Sequence, residues 1–535
     1  MKKFLLIILC VLLFQTPFSL AREQLANKNK EGIYAKSIER VLRLGPEEID
    51  LGTAALIVSE QWSDLVYGRR LRQQLDDMAY DVLERLERKN LRVNNYKAIE
   101  VINEYLFDEL GFTAISEATE PGDLFLHTVL EKKRGYCLSL SILYLALGER
   151  LGLPLYGVVV PKHFFVRYDN GRVRFNIETT SKGGYANDEH YIEKFNVPVG
   201  NNDSIYMINL DKRQTLGCFF NNLGNSYSLV GNIEQAQVAL ERAVQINPSL
   251  AESRINLGNI YMRKNLLADA IQQYQSALYI NPDDAIAHNN LGNAYSRKGR
   301  LNNAVGEYTQ SLRLDPDAAD TYKNLAAVYI KQGMAPKAIT ELKQALYLNP
   351  NDPEAYCQLG DAYGKMEDYD KAISYYEKAL EIKPNLADAH YGLALCYNSL
   401  GQTKAEIKAY KRALAIKPDM AAALTNLGNA YFTQEKYDDA VEQYSKAIVF
   451  SPDDAAIHYN LGTAYSNKKD YELATISYKK TVELDPNMAD AHNGLAFTYY
   501  KLKDYKPAWE HIKTAQQLGA EISEDLLKAI EKKVR

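Results

Sequence analysis

Cys137, His163 and Glu178 are the residues whose types and spacing could do chemistry. Cys137 opens a strongly apolar run, Cys137 to Leu151, that predicts a helix; Gly135 just before it permits a sharp turn. A thiol at a helix start meets unpaired N–H groups and the positive end of the helix dipole, and both favour the thiolate. Lys132, Lys133 and Arg134 add positive charge immediately upstream. A lone cysteine before an apolar helix is ordinarily just buried, and a lone histidine on a strand is ordinarily a surface or core residue. Their conjunction with an acid is what points to nucleophilic chemistry, in which a base sits near the nucleophile and an orienter near the base.

The elements that must position these groups are legible around them. Leu155 to Val160 is rich in β-formers. Asp169-Asn170-Gly171-Arg172 reads as a hairpin turn between a strand from His163 to Tyr168 and a return from Val173 to Glu178. With Asn170-Gly171 as a two-residue loop, His163 falls directly opposite Glu178. Phe164, Val166, Tyr168, Val173, Phe175 and Ile177 then share one face. His163, Arg167, Arg174, Asn176 and Glu178 share the other, with Phe165 its one apolar member. A slip of one residue would scramble that sorting. Opposed residues have Cβ atoms about 4.5–5.5 Å apart, near enough for a carboxylate to orient an imidazole. Asn176 lies on the same face and is the alternative orienter.

Cysteine, histidine and acid in that order, on helix, strand and strand, resemble the transglutaminase-like superfamily of papain-type folds. The resemblance runs over roughly 112–191. It is carried by Arg134-Gly135-Tyr136-Cys137, His163-Phe164-Phe165-Val166-Arg167 and Asn176-Ile177-Glu178-Thr179-Thr180. It implies an α+β domain and a thiol acyl-enzyme mechanism on amide substrates, with Cys137 as nucleophile, His163 as base and Glu178 as orienter. The superfamily usually has Asp in the third place, so Glu178 is a departure. The backbone N–H of Cys137 is a natural oxyanion donor; the second donor is not identified. No metal or organic cofactor is called for.

From Gly217 to Ile522 the chain is one 34-residue unit written nine times. Position 7 is leucine and position 11 tyrosine in every unit, from Leu223 and Tyr227 to Leu495 and Tyr499. Position 20 is alanine except at Glu406, and position 32 is proline except at Ala520. Apolar residues one turn apart bury a helix face, a small residue admits the second helix, and proline ends it. Period and pattern resemble the tetratricopeptide repeat, two antiparallel helices per unit stacked into an all-α superhelical solenoid. At Glu406, with Ala405 one residue early, a local shift is expected. A domain of the first kind followed by such repeats resembles a bacterial family of transglutaminase-like, tetratricopeptide proteins.

The array has an inner face. Asn222, Asn256, Asn290, Asn324, Asn426 and Asn460 recur at position 6, with Asn225, Asn259, Asn293 and Asn429 at position 9. Amides both donate and accept, so such a ladder would hold an extended peptide or protein segment by its backbone. The plainer alternative is a solvated consensus residue. Arg263 and Arg297, at position 13, point to a polar or acidic partner there. A Lys and Asn carboxylate clamp does not assemble, because Ala327 stands at position 9 of the unit that holds Lys323.

The predicted organisation is a secretory signal over 1–21, an α+β domain over 22–216, nine repeats over 217–522 and a capping helix over 523–535. Lys2 and Lys3, the apolar run from Phe4 to Phe14, and Ser19 and Ala21 make the signal, which places the body in the periplasm or outside the cell. An uncleaved N-terminal anchor is the alternative. Net charge is −5 over 535 residues, with no basic tract and no phosphate-cradling glycine loop, so nucleic acid is not a predicted partner. Cys218, Cys357 and Cys396 read as small packing residues, and without Cys-x-x-Cys a zinc ribbon is excluded. His288, His390, His458 and His492 all occupy position 4 and read as packing residues. Two functions follow: an exported cysteine hydrolase or acyltransferase whose repeats recruit a protein, or a binding scaffold whose N-terminal domain only caps the array.

Overall fold

A computed structural model describes residues 25–62, 66–116, 120–195, 197 and 205–534. The signal sequence read at 1–21 lies outside these residues. Among the described residues no helix is long and apolar enough to cross a membrane. The chain divides after Leu314 into two compact units.

The first unit is built on one helix. Helices α1 (Ile38–Arg43), α2 (Leu51–Trp62), α3 (Gly68–Arg88), α4 (Ala98–Asn103) and α5 (Leu126–Lys132) precede α6 (Cys137–Leu151). Two short strands, β1 (Thr113–Ala114) and β2 (Arg134–Gly135), pair in parallel just before α6. Nearly every side chain of α6 is buried, from Cys137 to Leu151, because α2 and α3 cover one side and a sheet covers another. Its last turn is anchored by Arg150, which is 2 % exposed and donates from Nε to Asp76 Oδ1 at 2.7 Å. After α4 the chain makes a wider π turn over Glu104–Glu109.

The sheet is antiparallel, in the order β3 (Leu155–Val160), β4 (His163–Asp169), β5 (Arg174–Glu178) and β6 (Gly184–Ala186). The hairpin register differs from the predicted one. Asp169 pairs with Arg174 and Val166 with Ile177, so the loop has four residues, 170–173, and His163 has no partner on β5. The turn is closed by Asn170, whose Oδ1 accepts from Arg172 N and Val173 N at 3.0 and 2.8 Å. The slip is two residues, an even number, so the sorting of faces survives. The face read as polar is also covered, by α7 (Asp188–Phe195): Phe165 is 0 % exposed and stacks on Tyr191 with centroids 3.8 Å apart.

Helix A of the first repeat begins at Lys212, capped by Asp211, whose side chain accepts from Gln214 N. It starts five residues before the repeat boundary predicted at 217. Residues on its approach pair with β3 through Gly157–Leu210 and Val159–Tyr206 bridges, and Lys212 reaches Glu149 of α6 at 2.6 Å. Three helix pairs complete the first unit, ending with Leu301–Leu314. The second unit continues the array from Ala319 to Gln517 and ends with a helix over Glu524–Val534, whose Ile530 is buried against Ala508 and Ile512.

Every alanine at position 20 is 0 % exposed, from Ala236 to Ala508. The expected shift at unit six does not occur. Its second helix, Thr403–Ile416, keeps the period, and Glu406 itself fills the position, 3 % exposed, taking a hydrogen bond from Asn398 Nδ2 at 2.9 Å. The repeats also carry a close contact that the pattern of leucines and alanines does not announce. A Cβ on Gly258 would lie 2.5 Å from the ring of Tyr274, so glycine at position 8 admits tyrosine at position 24.

Candidate active site

Cys137 begins α6 in a first turn whose N–H groups lack intrahelical acceptors. Ser139 Oγ accepts from Tyr136 N at 2.9 Å and fixes the entry. Gly135 is needed here for space and not for a turn. It lies on β2, and a Cβ would meet Ser139 Oγ at 2.9 Å and Leu140 Cγ at 3.1 Å. The thiol is buried, 4 % exposed, yet it borders a cavity of about 440 Å³ lined by Ala114, Ile115, Ser116, Tyr136, Lys162, His163 and Thr180.

His163, the first residue of β4, turns its ring into that cavity. Its Nε2 lies 2.7 Å from Glu178 Oε2, which leaves Nδ1 for the thiol. The two residues are not opposite one another; Glu178, at the end of β5, reaches the ring diagonally. Burial alone would lower the proton affinity of the ring. Contact with Cys137 and the bond to and charge of Glu178 outweigh it, raising the His163 pKa from 6.5 to about 9. Burial alone would raise the Glu178 pKa, but the imidazole and Thr180 bring it down from 4.5 to about 2. The pair therefore stands as carboxylate and imidazolium.

Three residues that sequence reasoning missed complete the mount. Thr180 donates to Glu178 Oε1 from its backbone N at 3.1 Å and again from its hydroxyl. Tyr191 Oη donates to Glu178 Oε2 at 3.2 Å. Phe195 lies flat on the His163 ring, with centroids 4.8 Å apart and planes 3° apart. Thr180 stands within the stretch that carried the family resemblance, two residues beyond Glu178, and that spacing was the available signal. Tyr191 and Phe195 sit four residues apart on α7, the spacing of one helix face, but nothing in sequence ties that face to this ring.

Asn176, the alternative orienter, does not touch His163. It is 1 % exposed, accepts from Arg167 Nε at 2.7 Å and donates to Asp188 Oδ1 at 2.7 Å. Arg167 is also buried and donates to Asp188 Oδ1 and Met207 O, both at 2.7 Å. This network ties the first turn of α7 to the sheet and so sets where Tyr191 and Phe195 fall.

The residues predicted to hold a peptide are largely occupied by the array itself. Tyr274 Oη donates to Asn259 Oδ1 at 2.7 Å, and Asn290 Nδ2 from the next repeat donates to the same oxygen at 3.2 Å. Asn429 takes the same two bonds from Tyr444 and Asn460. Asn256 donates to Asn221, Asn426 to Tyr391 and Asn222 to the carbonyl of Cys218. Asn324 is also partnered. Arg263 caps the preceding repeat at Ser228 O, 3.1 Å, and Arg297 does so at Met262 O, 3.0 Å. Both satisfy carbonyls at helix C-termini, where a cation is favourable. His288, His390, His458 and His492 each place Nε2 within 2.9–3.1 Å of the carbonyl of the preceding repeat's proline. All four cysteines among the described residues are free and buried, and no group of three or more metal-ligating side chains occurs among these residues.

Residues 69–216 match the family model of the transglutaminase-like superfamily. Models of the tetratricopeptide repeat match segments from 219–250 to 455–488. Among curated proteins, a UPF0162 protein of Xylella fastidiosa is 31 % identical over 124 residues, 22 % of this chain and 41 % of its own length. The F-box only protein 21 of Mus musculus is 34 % identical over 76 residues, 14 % of this chain and 12 % of its own. The chain thus spans well under half the length of these curated relatives. Among solved structures, that of YrrB, described as a TPR protein with an unusual peptide-binding site, is 28 % identical, covering 35 % of this chain and 96 % of its own at a TM-score of 0.30.

Proposed function

We propose that this chain, a transglutaminase-like domain followed by tetratricopeptide repeats, is an exported cysteine hydrolase or acyltransferase that acts on amide bonds, its repeats holding a protein partner. The observation that carries the reading is that Cys137 and His163 line one cavity at the mouth of α6, with Glu178 bonded to the His163 ring. Cys137 Sγ, as thiolate, attacks the amide carbonyl carbon and a C–S bond forms. The developing oxyanion takes the Cys137 backbone N–H. The C–N bond then breaks, and the His163 imidazolium gives its proton to the leaving amine. Water, losing a proton to the now neutral His163, attacks the thioester. The C–S bond breaks and a carboxylic acid leaves. An amine in place of water would yield a new amide; hydrolysis is the simpler outcome in water. Glu178 touches no substrate and holds the ring so that Nδ1 faces sulfur.

The competing reading is a non-catalytic scaffold, and one observation favours it: the Cys137 side chain is as buried as a packing residue. Labelling of the full chain by a thiol-directed acyl probe decides between them. The enzyme reading expects an adduct at Cys137 that is absent in Cys137→Ala and falls steeply in His163→Ala, with turnover down by at least about 1000-fold in the former. Labelling confined to other cysteines, or unchanged by His163→Ala, leaves the scaffold.

A further inference from the structure

The cavity at Cys137 carries one charged side chain that neither the catalytic apparatus nor the fold employs. Lys162 lines the cavity beside His163. It occupies the second position of the tight Pro161-Lys162 turn, closed by the pairing of Val160 with His163. Its φ is +63°, a left-handed conformation that such a turn ordinarily assigns to glycine or asparagine. A branched or long L-residue is costly there, and no acid among the described residues pairs with it to recover that cost. Lys132, Lys133 and Arg134, preceded by Glu131, are exposed on the segment that leads into α6, and Lys133 is itself left-handed at φ 51°. None of the three forms an ion pair among the described residues. The one nearby carboxylate of the mechanism, Glu178, is already committed to His163, Thr180 and Tyr191.

We propose that the cleft selects an acidic peptide, one with a carboxylate side chain flanking the scissile amide, and that Lys162 is the specificity-determining residue that receives it. This rests on the acyl-transfer reading above. A cation lining the same cavity as the nucleophile draws the carboxylate toward the reacting bond. The exposed cations before α6 add a longer-range attraction for the same substrate. Both effects weaken with salt, the outer one most.

The test uses the full chain and three peptide vinyl sulfones, alike except for Glu, Gln or Lys next to the reactive group. The Cys137 thiol adds across the carbon–carbon double bond, and mass spectrometry follows the rate of adduct formation. The Glu probe is expected to label about tenfold faster than the Gln probe in dilute buffer. Lys is expected to be slowest, and the spread to narrow in high salt. Lys162→Gly relaxes the turn and so leaves folding intact; it is expected to remove most of the Glu preference, and Lys162→Arg to restore it. Equal rates for the three probes, or a Glu preference that persists in Lys162→Gly, overturn the acidic-peptide assignment and leave the nucleophile standing. No adduct at Cys137 with any probe overturns the assignment together with the acyl-transfer reading.

Discussion

Two carboxylates, one half-buried in the α+β domain and one buried in the repeat array, behave in opposite ways. Glu178 is surrounded by donors: an imidazole, a threonine that bonds through both hydroxyl and backbone, and a tyrosine. Its pKa falls to about 2 although burial opposes it. Glu406, 3 % exposed between repeat helices, has one amide donor, Asn398, and its pKa is raised because burial outweighs that bond. Loss of water contact opposes ionisation at both, so it does not distinguish them. A cationic partner that itself lines a cavity does. The same contrast holds for the amides. In the array, asparagines close on tyrosines and on each other; at the cavity, the polar groups are stacked behind one ring so that its far nitrogen faces the thiol.

The largest expected effect breaks the first half of the contrast. Glu178→Gln keeps the shape and removes the charge. Turnover is expected to fall about 100-fold, the scale of a displaced general base. The pH profile is the sharper measurement. His163 is raised to about 9 by Cys137 and Glu178 together, so the imidazolium persists through neutral pH in the parent. Without the carboxylate the alkaline limb of kcat/KM should move toward neutrality. Stability follows the same signs. The His163 contribution is fully present below 6.5 and lost as pH rises toward about 9; that of Glu178 is present above 4.5 and lost as pH falls toward about 2. An unmoved alkaline limb in Glu178→Gln would assign the raised ring to Cys137 alone.

The next effect is on stability and has the opposite direction. Glu406→Ala restores the residue that the other eight units carry at position 20. It is expected to stabilise the chain by about 1 kcal/mol at neutral pH, as consensus replacements do. A carboxyl whose pKa is raised by folding destabilises above that pKa and not below the unfolded value, so the gain should vanish in acid, where both states are protonated. Urea melts of parent and variant at several pH values measure this. A loss of stability at neutral pH would mean that the Asn398 bond outweighs the buried charge.

How much of this was legible in sequence depended on what kind of signal carried it. The repeat was readable because its leucine, tyrosine, alanine and proline recur at one period through nine copies. The faces of the hairpin were readable because strand side chains alternate. Its register was not, since loops of two and four residues sort Phe164, Val166 and Tyr168 onto the same face, and the longer one is held by side chains of the turn itself, Asn170 on Arg172 and Val173 and Asp169 on Gly171 and Arg174. Tyr191 and Phe195 were invisible as site residues because tertiary packing alone brings α7 to the ring. The asparagine ladder was legible as one helix face, but the bonds between repeats were not. A helical pattern states which face a residue occupies, and Asn290 finds its partner on another repeat.

That last point supplies the smallest test. If Asn290 is a strut between repeats, removing it weakens the array; if it is a rung for a peptide, removing it weakens capture. Asn290→Ala deletes the bond to Asn259 Oδ1, which still keeps its donor from Tyr274. One net hydrogen bond at a half-buried site is worth about 0.5–1 kcal/mol, so the first unfolding transition in urea should shift slightly downward. Arg297→Ala, which uncaps the helix ending near Met262, should produce a shift of similar size. Partner capture by the full chain should change no more than stability does. A normal melt with lost capture would return Asn290 to the surface of a groove. A lowered melt with capture intact would place it inside the wall, leaving the partner to be held by side chains that the repeats do not spend on one another.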